Sequence, residues 1–116
     1  MNKEAQQIAI AKACDWKDVK YTYHEEVDIE NRSIIHWSGL TGIPPEFTHY
    51  ENRVRIPDYL NDLNAMHGAE EELGSYVPNF LKYLNILKEV NPMCVRATAA
   101  QRAEAFLRTI EKWEDK

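Results

Sequence analysis

The residues of this chain best suited to chemistry fall in two groups. The first is His67 and Glu70, one helical turn apart in a segment that also carries Asp58, Asn61 and Asp62. At about 100° per residue, Tyr59, Leu63, Met66 and Leu73 share one helix face. Glu70 falls in the middle of that face and His67 at its border. A carboxylate centred on an apolar stripe costs several kcal/mol (roughly) if unpaired, so it calls for a cation or a polar cavity. Arg102, at the border of a later apolar face, is the expected partner. As a site, the same pair would line a pocket in which His67 titrates near neutrality. Asp58 and Asp62 are spaced to share a divalent cation or, more simply, to cap a helix and face solvent.

The second group is Arg53 and Arg55, alternating beside Tyr50 and near Trp37. Arginine forks with aromatic rings suit a phosphate and a stacked base, and so a small nucleotide. The same residues also suit a charged edge strand that discourages pairing with other chains. The four histidines, His24, His36, His49 and His67, have no zinc-type spacing, and no phosphate loop, dinucleotide fingerprint or nucleophile elbow occurs. Gly39-Leu40-Thr41-Gly42 is too short for a phosphate cradle. No metal or cofactor is expected.

The elements that must hold these residues are mainly helical. Lys3 to Cys14 reads as a helix, and Trp16 to Tyr23 as a first strand, with Val19, Tyr21 and Tyr23 on one side. Glu25 to Phe47, broken by Gly39, Gly42, Pro44 and Pro45, reads mostly as loop. Ser33 to Trp37 is a short candidate strand within it. Arg53 to Ile56 alternates and is another. Asp58 is the expected N-cap of a helix that stops at Gly74. Val77 to Val90 has the helical stripe Phe80, Tyr83, Leu84, Leu87. Met93 to Arg96 reads as a short strand. Thr98 and Gln101 form a capping box ahead of a last helix reaching Trp113, with Ala99, Ala103, Phe106, Leu107, Ile110 and Trp113 apolar on one face.

The blocks Ile8 to Cys14 with Trp16, Pro57 to His67, and Ala97 to Trp113 resemble small proteins encoded by bacteriophages and prophages. Their layout is similar to the phage ABA-sandwich domain. The resemblance covers the first helix and most of the chain after Pro57, and is weak from Thr22 to Asn52. It implies an α-β-α layered fold and a phage setting, and it transfers no site residues. The helix expected over Val77 to Val90 departs from it, since the sandwich pattern wants more strand there.

At 116 residues, with 44% hydrophobic and 28% charged residues, the chain is expected to be one domain with its own core, spanning 1–116. The expected class is α/β in the α+β sense: a small, helix-rich, layered domain of about four helices with a short sheet. A net charge of −5 argues against a duplex nucleic-acid partner. Cys14 and Cys94 share no metal spacing and suit two small buried residues in a reduced compartment. No stretch is apolar enough for a membrane span, and a cytoplasmic setting is expected. The leading expectation is a non-catalytic phage accessory protein, a homo-oligomer that binds a host protein or sequesters a small nucleotide signal. Against it stand a metal-dependent hydrolase using His67, Glu70 and Asp62, and a purely structural or assembly role.

Overall fold

The computed structural model describes residues 1–46, 53–74 and 77–114. Helix α1 spans Lys3–Ala13, strands β1 and β2 span Lys17–Asp28 and Ser33–Ile43, and β3 is the pair Val54–Arg55. Helices α2 (Leu63–Gly74) and α3 (Val77–Val90) follow, then a 3-10 turn at Cys94–Arg96 and α4 (Ala99–Thr109). The class is α+β, with four helices and a small antiparallel sheet in the order β1-β2-β3.

Helix α1 begins where the Asn2 side chain accepts a hydrogen bond from the Ala5 N–H at 2.7 Å. It ends with Asp15 in the left-handed region (φ 66°) and the Trp16 N–H donating to the Ala11 carbonyl. That is the usual way of satisfying the last carbonyls, with aspartate where glycine is commoner.

The segment expected to be mostly loop instead holds the end of β1 and the whole of β2. From Lys20 to Asp28, β1 pairs residue for residue with β2, ending at Asp28 opposite Ser33. Asp28 builds the turn: its carboxylate accepts the Glu30 and Asn31 backbone N–H groups and the Asn31 side-chain amide. Those bonds, the Asn31 amide first, hold the Asp28 carboxyl below its usual pKa. Gly39 and Gly42, which look like loop punctuation, lie inside β2. At Gly42 a Cβ would sit 3.2 Å from the Lys17 carbonyl oxygen and 3.3 Å from the Trp16 ring, so glycine permits a close approach there.

The expected strand at Met93 to Arg96 is instead the 3-10 turn, and Arg96 and Ala97 donate to the Met93 and Cys94 carbonyls. The helix expected from Asp58 starts at Leu63, because Asp62 is the residue that caps it: its Oδ1 accepts the Asn64 N–H at 2.9 Å. Asp58 instead ties the preceding segment to α1. Its carboxylate accepts from Gln7 Nε2, while Gln7 Oε1 accepts the Tyr59 N–H. Leu63, in the first turn, is exposed, and Met66, Ala69 and Leu73 make the buried face. The capping box of Thr98 and Gln101 is present, and α4 stops at Thr109, short of Trp113.

Helix α4 is the centre of the core. Ala103, Ala105, Phe106, Leu107 and Thr109 are all buried, so its apolar face is wider than one stripe. It packs against α1, α2 and α3. Thr109 satisfies its buried hydroxyl on the Ala105 carbonyl. Ile10 and Ala11 of α1, and Tyr83 and Leu87 of α3, complete the cluster. Leu84 is only partly buried and Phe80 is exposed.

The molecule is elongated, with extents of 51 × 27 × 27 Å and a radius of gyration of 16.1 Å. A compact domain of this length is expected near 13 Å (about). The excess comes from β1 and β2, which run out together as a two-stranded arm beyond β3, whose pairing covers only Thr41 and Gly42 of β2.

Candidate functional site

The residues singled out by sequence separate into two places. Glu70 and Arg102 meet inside the helical body. Arg102 Nη1 lies 3.3 Å from Glu70 Oε1, and both side chains are mostly buried, at 13% and 14% exposure. Arg102 also donates through Nε to the Ala97 carbonyl and through Nη2 to the Cys94 carbonyl. The guanidinium therefore fastens α2 to the turn preceding α4. The Tyr83 hydroxyl is buried beside this pair, close to Glu70 and Arg102, and among the described residues makes no hydrogen bond of regular geometry. Burial foremost, then the Glu70 charge, raises its pKa, with Arg102 opposing. His67 Nδ1 lies 3.9 Å from Glu70 Oε2, but its ring is exposed. Asp62 is engaged at the start of α2. These residues form an internal tie rather than an open cleft, and among the described residues no group of three metal-ligating side chains could hold an ion.

Arg53, Arg55 and Trp37 lie at the base of the arm. A bulge between Lys17 and Lys20, with Asp18 at φ 50°, interrupts the pairing with β2. Arg53 reaches across to Asp18, ion-pairing with the carboxylate and donating to the carbonyl at 2.9 Å. It also donates to Thr41 Oγ1 at 3.1 Å, and Thr41 in turn meets the Thr22 hydroxyl. Arg53 thus rivets the base of the sheet. Arg55 is exposed, and its guanidinium lies 3.8 Å over the Trp37 ring. An open cleft of about 300 Å³ lined by Gln7, Ser38, Leu40, Arg55 and Asp58 adjoins it. Tyr50, together with Phe47 and His49, lies outside the described residues.

Sequence reading placed strands at Trp16 to Tyr23 and Ser33 to Trp37, both present, but missed the long hairpin they form and its exposed face. One face carries Tyr21, Tyr23, Glu25 and Val27 from β1, opposite Leu40, Ser38, His36 and Ile34 of β2. Tyr21, Tyr23, Val27 and Ile34, with Ile29 at the tip, are 57% to 86% exposed. The face is ordered by its own polar contacts. The Tyr21 hydroxyl meets Ser38 Oγ at 2.8 Å, the Tyr23 hydroxyl meets His36 Nδ1, and Glu25 lies 3.4 Å from the same nitrogen. The Tyr23 and His36 rings stack. The available signal was the odd-numbered series Tyr21, Tyr23, Val27 ahead of the turn-forming Asp28 and Asn31.

Further hollows open on the body, and two of them line the first helix and its end. The larger, about 510 Å³, runs between α1 and the chain after α4, lined by Ile8, Ala9, Lys12, Ile110 and Lys112 among others. The other, about 280 Å³, is lined by Cys14, Trp16, Tyr59 and Glu72. Cys14 is a free thiol there, pushed from 9.0 to about 11, by burial first and then by the Glu72 charge. It is therefore a packed thiol rather than a poised nucleophile.

That shift has a measurable consequence. Between pH 9.0 and about 11 the unfolded chain releases the Cys14 proton while the native chain keeps it. Stability is unaffected below this window and falls as pH rises through it, by roughly 2–3 kcal/mol in all. Tyr59 and Tyr83, also raised by burial, add to the loss only above their ordinary value of 10.0. Melting curves across this range should show Cys14→Ala delaying the onset of the decline by about one pH unit. An unchanged onset would mean that the thiol contributes nothing.

No protein family, curated protein or solved structure matches this chain. Among the described residues, no helix is long and apolar enough to cross a membrane.

Proposed function

We propose that this chain is a non-catalytic binding protein that takes a protein partner on the aromatic face of its β1–β2 arm. The exposed Tyr21, Tyr23, Val27 and Ile34, held on one face of a projecting hairpin, carry this reading. Tyrosines supply large contact area at low entropic cost and are enriched at interface centres. The helical body, with its charged pair turned inward on itself, acts as the mount. A small nucleotide is the weaker reading, because Arg53 is already committed to Asp18 and Thr41 and the Arg55 guanidinium covers a face of the Trp37 ring. The phage resemblance favours a host protein in the cytoplasm of an infected bacterium, with counter-defence as the setting.

The test compares the wild type with the Tyr23→Ser/Ile34→Ser double variant as bait in infected-cell lysate, with native mass spectrometry of the purified wild type alongside. A protein captured by the wild type and lost at least about tenfold by the variant, with helical circular dichroism unchanged, is the expected result. Equal capture by both, or a nucleotide-sized mass retained by the purified protein, would sink the proposal.

A further inference from the structure

The arm presents an unusually bare edge. Strand β1 is 12 residues long and, among the described residues, pairs only with β2. A long edge strand exposes a row of unpaired backbone donors and acceptors, and edges are normally blunted by prolines, lysines, bulges or covering elements. Here the bulge and both strand lysines, Lys17 and Lys20, sit at the base. From Tyr21 to Asp28 the pairing is regular, with no proline, lysine or bulge, and its only charges, Glu25, Glu26 and Asp28, are all acidic. A two-stranded hairpin is marginal in water by itself, and a further strand would support it.

The charge pattern of β1 identifies the strand that fits. Lys17 and Lys20 lie at one end with Asp18 between them, and Arg53 is brought beside them, so that end stays net positive although Asp18 pairs with Lys20 and Arg53. Glu25 and Asp28 lie towards the other end. A strand laid antiparallel beside β1 should therefore be acidic where β1 is basic, and basic where it is acidic. Strand β1 itself, turned end for end, has that pattern.

We propose that two copies of this chain pair antiparallel along β1, about a two-fold axis at His24. This register places Lys20 opposite Asp28 of the second copy and Tyr21 opposite Val27 of the second copy, and symmetry repeats both pairs. Paired residues fall on the same face of the joined sheet, as an axis perpendicular to it requires. The exposed Tyr21 and Val27 thereby gain an apolar cross-strand neighbour. The two arms become one continuous sheet whose aromatic faces lie side by side. The pairing uses the strand edge and needs no partner protein, so it stands or falls separately from the binding role of the face.

Sedimentation velocity at rising micromolar concentration should show a species of twice 13.6 kDa. Tyr21→Lys and Val27→Lys should each weaken self-association at least about tenfold, with helical circular dichroism unchanged. Register is read by oxidation of single-cysteine variants, the linked peptide being identified by mass so that Cys14 and Cys94 do not count. His24→Cys places both thiols on the axis, where backbones about 5 Å apart suit a disulfide. Glu26→Cys places them four residues out of register, about 13 Å apart, and should not link. A monomer at every concentration, a dimer indifferent to both lysine variants, or linkage at Glu26→Cys as readily as at His24→Cys would overturn the proposal.

Discussion

Replacing Arg102 with methionine should destabilise the protein by about 3–5 kcal/mol, the cost of stranding a buried charge. Three groups lose a bond from the guanidinium at once: the Glu70 carboxylate, the Ala97 carbonyl and the Cys94 carbonyl, which keeps the Ala97 N–H. For a chain of this length the melting temperature should fall by roughly 10–20 °C. Glu70→Leu combined with Arg102→Met should recover much of that loss, because an apolar pair of similar volume removes the stranded charge. Thermal denaturation followed by circular dichroism measures both. A loss below about 1 kcal/mol for Arg102→Met would mean that water reaches Glu70 freely and the tie is dispensable.

Phe106→Ala should cost a similar amount, about 3–5 kcal/mol, for a different reason. Phe106 is 1% exposed on the helix that packs against the other three, so the cavity left behind cannot close by moving one neighbour. Phe80→Ala is the internal control: its ring lies at the surface of α3 and should cost under about 1 kcal/mol. Urea denaturation should show a lower midpoint for Phe106→Ala with an unchanged slope. Equal losses at the two phenylalanines would place the core elsewhere.

The helices were readable because each carries local chemistry that tertiary packing does not override. The capping box at Thr98 and Gln101 and the span Val77–Val90 are the clearest cases. Arg102 as the partner of Glu70 was also legible, since a carboxylate on an apolar stripe needs a cation and few lie on a facing stripe. The start of α2 was not. Asp58 and Asp62 are equivalent caps by type, and the Asp58 carboxylate is drawn off by Asn61 and by Gln7, 51 residues away in sequence. The arm was legible only in part, as the strands expected over Trp16 to Tyr23 and Ser33 to Trp37, and its full length was not. Strand patterns are recognised through one buried face, and here the face of Tyr21, Tyr23, Val27 and Ile34 is exposed, so Thr22, Glu25 and Asp28 mix with Tyr21, Tyr23 and Val27 without a clean period. Gly39 and Gly42 then counted against a strand, when the Gly42 backbone is what lets Trp16 approach.

The projection of the arm beyond the body divides the chain into parts of unequal cooperativity. Amides in the middle of α4 lie within the packed core and can exchange with solvent hydrogen only when the whole helical body opens. Amides near the tip, from Val27 to Ile34, are held by a single ladder and the Asp28 turn, so a local opening that leaves the helices folded can release them. The chain thus joins a slowly exchanging mount to a rapidly exchanging reach, and the arm can adjust its shape to what it meets without straining the core.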